Sequence, residues 1–220
     1  MRTWLRDHGL LLVNLAIFVA TFAGMAAAGL SVYNGDQLAH GGESVTLGAY
    51  LGTGDYLEAV FENWESEFLQ MGMYVVLTVF LFQKGSSESK PIGKEAPQDA
   101  DPRLARTSAA VPWPVRRGGW VLVVYENSLA LLFGLLFIAS FALHAVGGAE
   151  AYTAEQAEHG LPGATALEYI GTSQFWFESL QNWQSEFMVV ALIVGASVYL
   201  RQRGSSQSKP VAAPYAETGD

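Results

Sequence analysis

Apolar residues fall in four blocks along this chain: Leu10–Leu30, Phe68–Phe82, Leu129–Gly147 and Phe187–Leu200. The first and third are about 20 residues long, enough for a helix to cross a hydrocarbon core of about 30 Å. The second and fourth hold only 15 and 14 residues, roughly 22 Å of helix. To span, they must draw in their N-terminal flanks, Phe61–Glu67 and Leu180–Glu186. The pattern therefore predicts membrane helices over about 10–30, 63–84, 128–148 and 182–202. Between the first and second blocks, and between the third and fourth, lie polar segments of more than 20 residues that read as a small outer cap.

The blocks belong to an internal repeat. Residues 10–91 align without a gap on residues 129–210, an offset of 119, with 31 of 82 columns identical. Asn63-Trp64-Glu65-Ser66-Glu67-Phe68 falls on Asn182-Trp183-Gln184-Ser185-Glu186-Phe187. Gly85-Ser86-Ser87-Glu88-Ser89-Lys90-Pro91 falls on Gly204-Ser205-Ser206-Gln207-Ser208-Lys209-Pro210, and His40-Gly41 on His159-Gly160. A repeat of this length fixes the architecture before any single residue does. The expected fold class is an all-α membrane protein of four transmembrane helices, built as two tandem helical hairpins. The first repeat covers 1–92 and the second 119–211. A Pro-, Ser- and charge-rich linker over 93–118 reads as flexible, and 212–220 as a disordered tail.

Charge sets the orientation. All 12 Lys and Arg lie in 1–9, 83–118 and 201–220; the segments 31–66 and 148–185 contain none. Basic residues stay on the cytoplasmic side, so both termini and the linker are expected inside. Each repeat then enters and leaves from the same side, and the two hairpins run parallel about an axis along the membrane normal, unlike inverted repeats. Trp113 and Trp120, with Arg116 and Arg117, are expected to anchor the linker at the inner interface. Half of the residues are hydrophobic and 15% are charged, against about 25% charged in soluble domains. The Ala26-Ala27-Ala28 stretch after Arg2 and Arg6 resembles a signal-peptide cleavage site. The block it ends pairs by repeat with the internal Leu129–Ala149, which favours a retained helix. With no cysteine, disulfides, thiolate metal sites and Cys nucleophiles are excluded.

Candidate chemistry is sparse. Glu67 and Glu186 are placed near the outer membrane edge, with Asn63 and Asn182 one turn earlier on the same helix face. Carboxylates at that depth need a partner, a polar interior or water. One reading pairs them near the symmetry axis as a proton or cation site, in a single chain or a homo-oligomer. The other sends each up to interfacial water, with Trp64 and Trp183 in the aromatic belt. The segments 31–67 and 148–186 carry 13 acids and no Lys or Arg, a surface that concentrates cations. His40, His159, Asp36 and Glu155 are the candidate ligands of an outer metal site, although no recognised metal spacing is present. The repeated Gly-Ser-Ser-x-Ser-Lys-Pro reads as a helix stop with Lys90 and Lys209 as interface anchors, a role that leaves its serines unexplained. His144, whose twin is Met25, and Asn14, whose twin is Phe133, read as hydrogen-bonded packing residues. No Ser/His/Asp arrangement, phosphate loop or nucleic-acid patch is present, so neither an enzyme nor a nucleic-acid binder is expected, and no cofactor.

Through the Asn-Trp-x-Ser-Glu-Phe helix and the Gly-Ser-Ser-x-Ser-Lys-Pro end that follows it, the chain resembles a family of bacterial membrane proteins defined as a domain of unknown function. The resemblance is strongest over Phe175–Val211 and its echo Tyr56–Ile92. It implies a multi-pass place in the bacterial plasma membrane, with the lipid bilayer as partner, and brings no activity. Three function classes compete: a leading one, a non-enzymatic protein of assembly, envelope interaction or stress tolerance; a small cation or proton transporter using Glu67 and Glu186; and, least favoured because no catalytic constellation is visible, a membrane enzyme working through the outer His and carboxylates.

Overall fold

A computed structural model describes residues 2–219, and all regular structure among them is helical. In chain order the helices are α1 (Arg2–Asp7), α2 (Gly9–Ala39), α3 (Leu47–Tyr50), α4 (Gly54–Phe80), α5 (Trp113–Arg117), α6 (Gly119–Glu126), α7 (Ser128–Glu158), α8 (Ala166–Ile170) and α9 (Ser173–Ala196). Short 3-10 turns occupy Pro97–Asp99 and Pro102–Ala105. The starts of α2 and α7, of α3 and α8, and of α4 and α9 are each 119 residues apart. Two helices, α2 and α7, are long and apolar enough to cross a membrane. Both have 31 residues, about 46 Å of helix. They run on through the polar stretch where the apolar pattern stops, because Tyr33, Asn34 and Gln37, like Tyr152, Thr153 and Gln156, continue the helix. The long helices α4 and α9 have no acid after Glu67 and Glu186, and their C-terminal stretches from Phe68 and Phe187 are predominantly apolar.

The chain divides into two units: Met1–Phe61 with Leu143–Phe175, and Glu62–Ala142 with Trp176–Asp220. In the first unit, two matching pieces are built the same way. Tyr50 sits so close over Gly29 that a Cβ there would strike its ring, and Tyr169 does the same over Gly148. Only glycine leaves room for the ring at these positions. Tyr33 tilts against Tyr50, and Tyr152 against Tyr169, with centroids 5.4 and 5.5 Å apart. The loop after α2 is strapped back by Asn34, which bonds both the N–H and the carbonyl of Val45. Thr153 does the same to Ala164 after α7. Thr46 and Thr165 cap α3 and α8. Thr53 and Thr172 accept the N–H of Tyr56 and Phe175, closing the turns into α4 and α9. The polar segments expected to form a cap are thus short capped helices and strapped loops, each bonded to its own long helix.

The second unit explains the repeated serines. Ser86 Oγ accepts the N–H of Glu88, and Ser205 Oγ that of Gln207. Ser89 Oγ accepts the N–H of Gln83, and Ser208 Oγ that of Gln202. The first and last serines are therefore turn-makers that satisfy backbone donors left over after the helices end. Gly85 and Gly204, both at positive φ, lie within these turns. They are not the helix caps expected of them, because α4 ends at Phe80 and α9 at Ala196. The linker and the tail also differ from expectation. The linker is organised by the two 3-10 turns and α5. The tail over 212–219, expected to be disordered, folds against the rest of the unit: Lys209 Nζ donates to the carbonyls of Pro214, Tyr215 and Glu217, and Gly219 N–H donates to Ser86 O.

Two predictions follow from these contacts. Gly148→Leu forces Tyr169 off its seat, an overpacking cost of about 1–3 kcal/mol, read as a lower thermal midpoint of the detergent-purified protein. Replacing an exposed glycine with open space around it, such as Gly24, should not lower the midpoint. Lys209→Met removes the donor that gathers three tail carbonyls. Residues 211–219 should then be trimmed faster by carboxypeptidase while the helical far-UV signal is unchanged.

Candidate functional site

The best-built cluster of donor side chains starts from Tyr169. Its ring is fully buried, packed edge-on against Phe175 and set over Gly148. Its hydroxyl donates to Glu58 Oε1 at 3.2 Å. Glu58 lies in the second turn of α4, where the helix backbone comes against α7. A Cβ added to Gly147 would sit 2.8 Å from the N–H nitrogen of Glu58. His144, Gly147, Gly148 and Ala151 recur at helical spacing and form one face of α7. On that face His144 is fully buried and stacked on Phe175, with centroids 4.7 Å apart and planes 23° apart. His144 and Glu58 place donor atoms within 4.8 Å of one another. The ring of Phe175 and the hydroxyl of Tyr169 each fix one member of the pair, as outer-shell groups do for ligands.

A second pair lies in the other unit. Glu62 and Glu178 hold carboxylate oxygens within 4.8 Å of one another, and Glu178 is buried. Asn182 donates to the Glu178 carbonyl at 3.2 Å. Glu65 is fully buried and accepts the indole N–H of Trp183 at 3.2 Å. Trp183 is set edge-on to Phe137 and to Trp176. Gln70, also buried, donates to the Glu186 carbonyl at 2.9 Å. Along α4, Glu58, Glu62 and Glu65 stand at i, i+4 and i+7, a single acidic stripe.

Carboxylates in an apolar interior are costly unless they share a proton, meet a cation or accept hydrogen bonds. An imidazole beside a carboxylate, as His144 beside Glu58, is a donor pair for first-row divalent cations such as Mn2+, Fe2+ or Zn2+. Two close acids, as Glu62 and Glu178, can share a proton.

The residues singled out from sequence sit elsewhere. Glu67 and Asn63 are exposed, while Glu186 and Asn182 are half-buried. The interior of α4 is reached by Glu65, two positions earlier, because the buried face of that helix runs through Glu65, Ser66 and Gln70. His40 Nδ1 lies 3.0 Å from the Asp36 carbonyl and 3.5 Å from Asp36 Oδ1, and its Nε2 is 4.0 Å from Glu158 Oε2. His159 makes only the matching contact to the Glu155 carbonyl, at 3.0 Å, and joins no ion pair among the described residues. Asn14 bonds its own helix, at the Leu10 carbonyl. Trp64 and Trp183 are half-buried. Lys90 pairs with Asp99 at 2.6 Å and lies over the Phe82 ring. Lys209 is corrected: it is 1% exposed and no interface anchor, because its ammonium is turned inward onto tail carbonyls.

Sequence reasoning passed over Glu58, Glu62 and Glu178 and gave His144 a packing role. A signal was present. Their twins in the other repeat are Phe177, Gln181, Ala59 and Met25. Each donor stands where the two copies differ, and each difference adds a metal-ligating group on one side only.

The whole chain, residues 1–220, matches one family profile, a domain of unknown function, DUF6766. The chain belongs to the DUF6766 family. No curated protein and no solved structure matches it. For this DUF6766 chain the argument about function therefore rests on the geometry of the site itself.

The contacts of His40 carry a pH dependence. Its hydrogen bond to the Asp36 carbonyl, then the charges of Glu158 and Asp36, raise its pKa above the ordinary 6.5. A raised folded value means that the stabilisation is fully present below pH 6.5 and is lost as pH climbs through the folded value. Between about pH 6 and 8 the thermal midpoint should show a small rise toward acid. His40→Gln should flatten it and His159→Gln should not.

Proposed function

We propose that this protein is a multi-pass membrane protein of the bacterial plasma membrane that binds a divalent first-row metal cation with Glu58 and His144 as ligands. We read it as a binding protein and not as an enzyme. The observation that carries the cation reading is the pairing of a fully buried histidine with a tyrosine-held carboxylate, His144 with Glu58. In the other unit, Glu62 and Glu178 by themselves are two close acids that favour a cation or a shared proton. That each donor lacks a ligating twin supports a ligand role over a packing role, since packing is met at the twin positions by Phe177 for Glu58 and Met25 for His144.

The membrane part rests on α2 and α7, with mean hydropathies of 2.2 and 2.4 in their most apolar windows. In this reading α4 and α9 are the third and fourth spans. They have 27 and 24 residues, about 40 and 36 Å of helix. Their N-terminal parts carry Glu58, Glu62 and Glu178, and their apolar C-terminal stretches meet lipid. The Lys and Arg distribution keeps both termini inside. The cation reading thereby passes from Glu67 and Glu186 to the acids that face inward.

Thermal unfolding of the full-length protein in detergent, after chelator treatment, tests this. A cation at a hundred times its Kd stabilises by about 2.7 kcal/mol. The expected result is a clear rise in midpoint with Mn2+, Fe2+ or Zn2+ and none with K+. It should be lost in Glu58→Gln and His144→Gln, kept in Glu67→Gln/Glu186→Gln, and matched by metal content measured by mass spectrometry. No metal retained, or a rise that survives both ligand variants, would sink the proposal.

A further inference from the structure

The linker holds a charged surface that the cation site does not use. Arg103, Arg106, Arg116 and Arg117 are all exposed, and none joins an ion pair among the described residues. From Pro102 to Tyr125 the sequence contains no Asp or Glu. This is unusual in a chain of net charge −9. The four guanidinium groups are carried on one folded piece. The 3-10 turn Pro102–Ala105 packs on α5, and α5 packs on α6. Arg106 lies over Gly118 and donates to the Arg117 carbonyl at 3.4 Å. Gly118 at φ +67 makes the corner between α5 and α6 that this contact needs.

The same piece exposes apolar side chains. Val115 and Leu122 point inward and are buried, while Trp113 is 59% exposed and Trp120 is 76% exposed. Trp120, Val123 and Val124 recur at i, i+3 and i+4, so α6 shows one apolar face, and all three are exposed. Water alone is a poor neighbour for two bare indoles and a row of valines. Indoles beside arginines are the composition of a surface that lies in the headgroup layer of a bilayer. After Asn127, α6 leads straight into α7, one of the two membrane-crossing helices. The chain itself therefore holds this surface at the membrane boundary.

We infer that residues 102–125 form a docking surface for anionic phospholipid headgroups, with Arg103, Arg106, Arg116 and Arg117 engaging the phosphates and Trp113 and Trp120 entering the acyl boundary. Guanidinium groups suit phosphate because their fork of donors meets two oxygens at once. Charge decides for an anionic lipid over a zwitterionic one, since four cations on a segment that itself carries no acid outnumber the flanking Asp101 and Glu126 and gain from a negative surface. The inference rests on the membrane reading and is independent of the metal.

The test uses full-length protein in nanodiscs of phosphatidylcholine alone, or with 30% phosphatidylglycerol. Entry into the discs is read first, by size exclusion, and failure there removes the membrane reading. With the protein in the discs, phosphatidylglycerol should raise the thermal midpoint by several degrees at low salt. Most of that rise should vanish near 1 M NaCl, where the screening length is about 3 Å. In Arg103→Gln/Arg106→Gln/Arg116→Gln/Arg117→Gln the rise should be lost, while Lys84→Gln/Lys94→Gln keeps it. If the fourfold variant does not fold, Arg116→Gln/Arg117→Gln is used, and native mass spectrometry should show at least a tenfold drop in retained phosphatidylglycerol against wild type. An unchanged phosphatidylglycerol effect in the arginine variants overturns the inference. So does a wild-type midpoint that ignores lipid charge, or an equal rise when inorganic phosphate is added to phosphatidylcholine discs.

Discussion

A tyrosine ring seated on a bare glycine is the contact from which the first unit is assembled. Tyr169 over Gly148 and Tyr50 over Gly29 replace what would be a Cβ collision with close packing of aromatic carbon on helix backbone. Each short capped helix is thereby held against its own long helix, and the turn that follows, closed by Thr53 or Thr172, aims α4 or α9. The two seats then diverge in chemistry. The hydroxyl of Tyr169 reaches Glu58, and the Phe175 ring that packs on Tyr169 also stacks on His144. One steric feature thus positions Glu58, the hydroxyl that bonds it and the ring that stacks on His144.

This asymmetry is the more telling part of the molecule. The repeat preserves what makes structure: the tyrosine seats, the threonine caps, the loop straps and the serine turns. It does not preserve Glu58, Glu62, His144 or Glu178, which face Phe177, Gln181, Met25 and Ala59 in the twin positions. A duplicated scaffold needs each packing position filled in both copies. A ligand needs to be present only once. Glu58 and Glu62 stand in the first copy and His144 and Glu178 in the second, each opposite a twin that fills the same packing position without a ligating group, and pure packing gives no reason to place a carboxylate where its twin is phenylalanine.

Much of the fold was legible because the features that encode it are local. The apolar blocks marked α2 and α7, and the 119-residue offset reappears in the starts of the helices. Helix ends were misplaced where polar residues continue a helix. α2 runs past Leu30 to Ala39 because Tyr33, Asn34 and Gln37 stay helical, and α4 ends at Phe80, before Lys84. The site was harder to see for a physical reason. Which carboxylate of a run faces inward depends on rotation of the helix about its axis, and a shift from Glu67 to Glu65 is about 200° of that rotation. Side-chain hydrogen bonds over long spans, such as Tyr169 to Glu58, leave no trace in spacing. The serines illustrate the same limit: their identity repeats, but their purpose is visible only once the backbone donors they satisfy are located.

Charge ties these parts together. The acids of the chain sort into two kinds. Some, such as Asp36 and Glu158, stay on the exposed surface and serve His40. Others, Glu65 and Glu178, are carried into the interior, where leaving them charged is tolerable only with a cation or strong donors nearby. The basic residues are sorted as strictly. Lys209 is spent on backbone carbonyls, Lys90 on Asp99, and four arginines are left unpaired on the segment that leads into α7. The segment 102–125 gathers these four beside exposed indoles and has no acid of its own, so another anion can take the role that carboxylates fill elsewhere. At the foot of a helix long and apolar enough to cross a membrane, the anion that fits such a surface is the phosphate of a lipid.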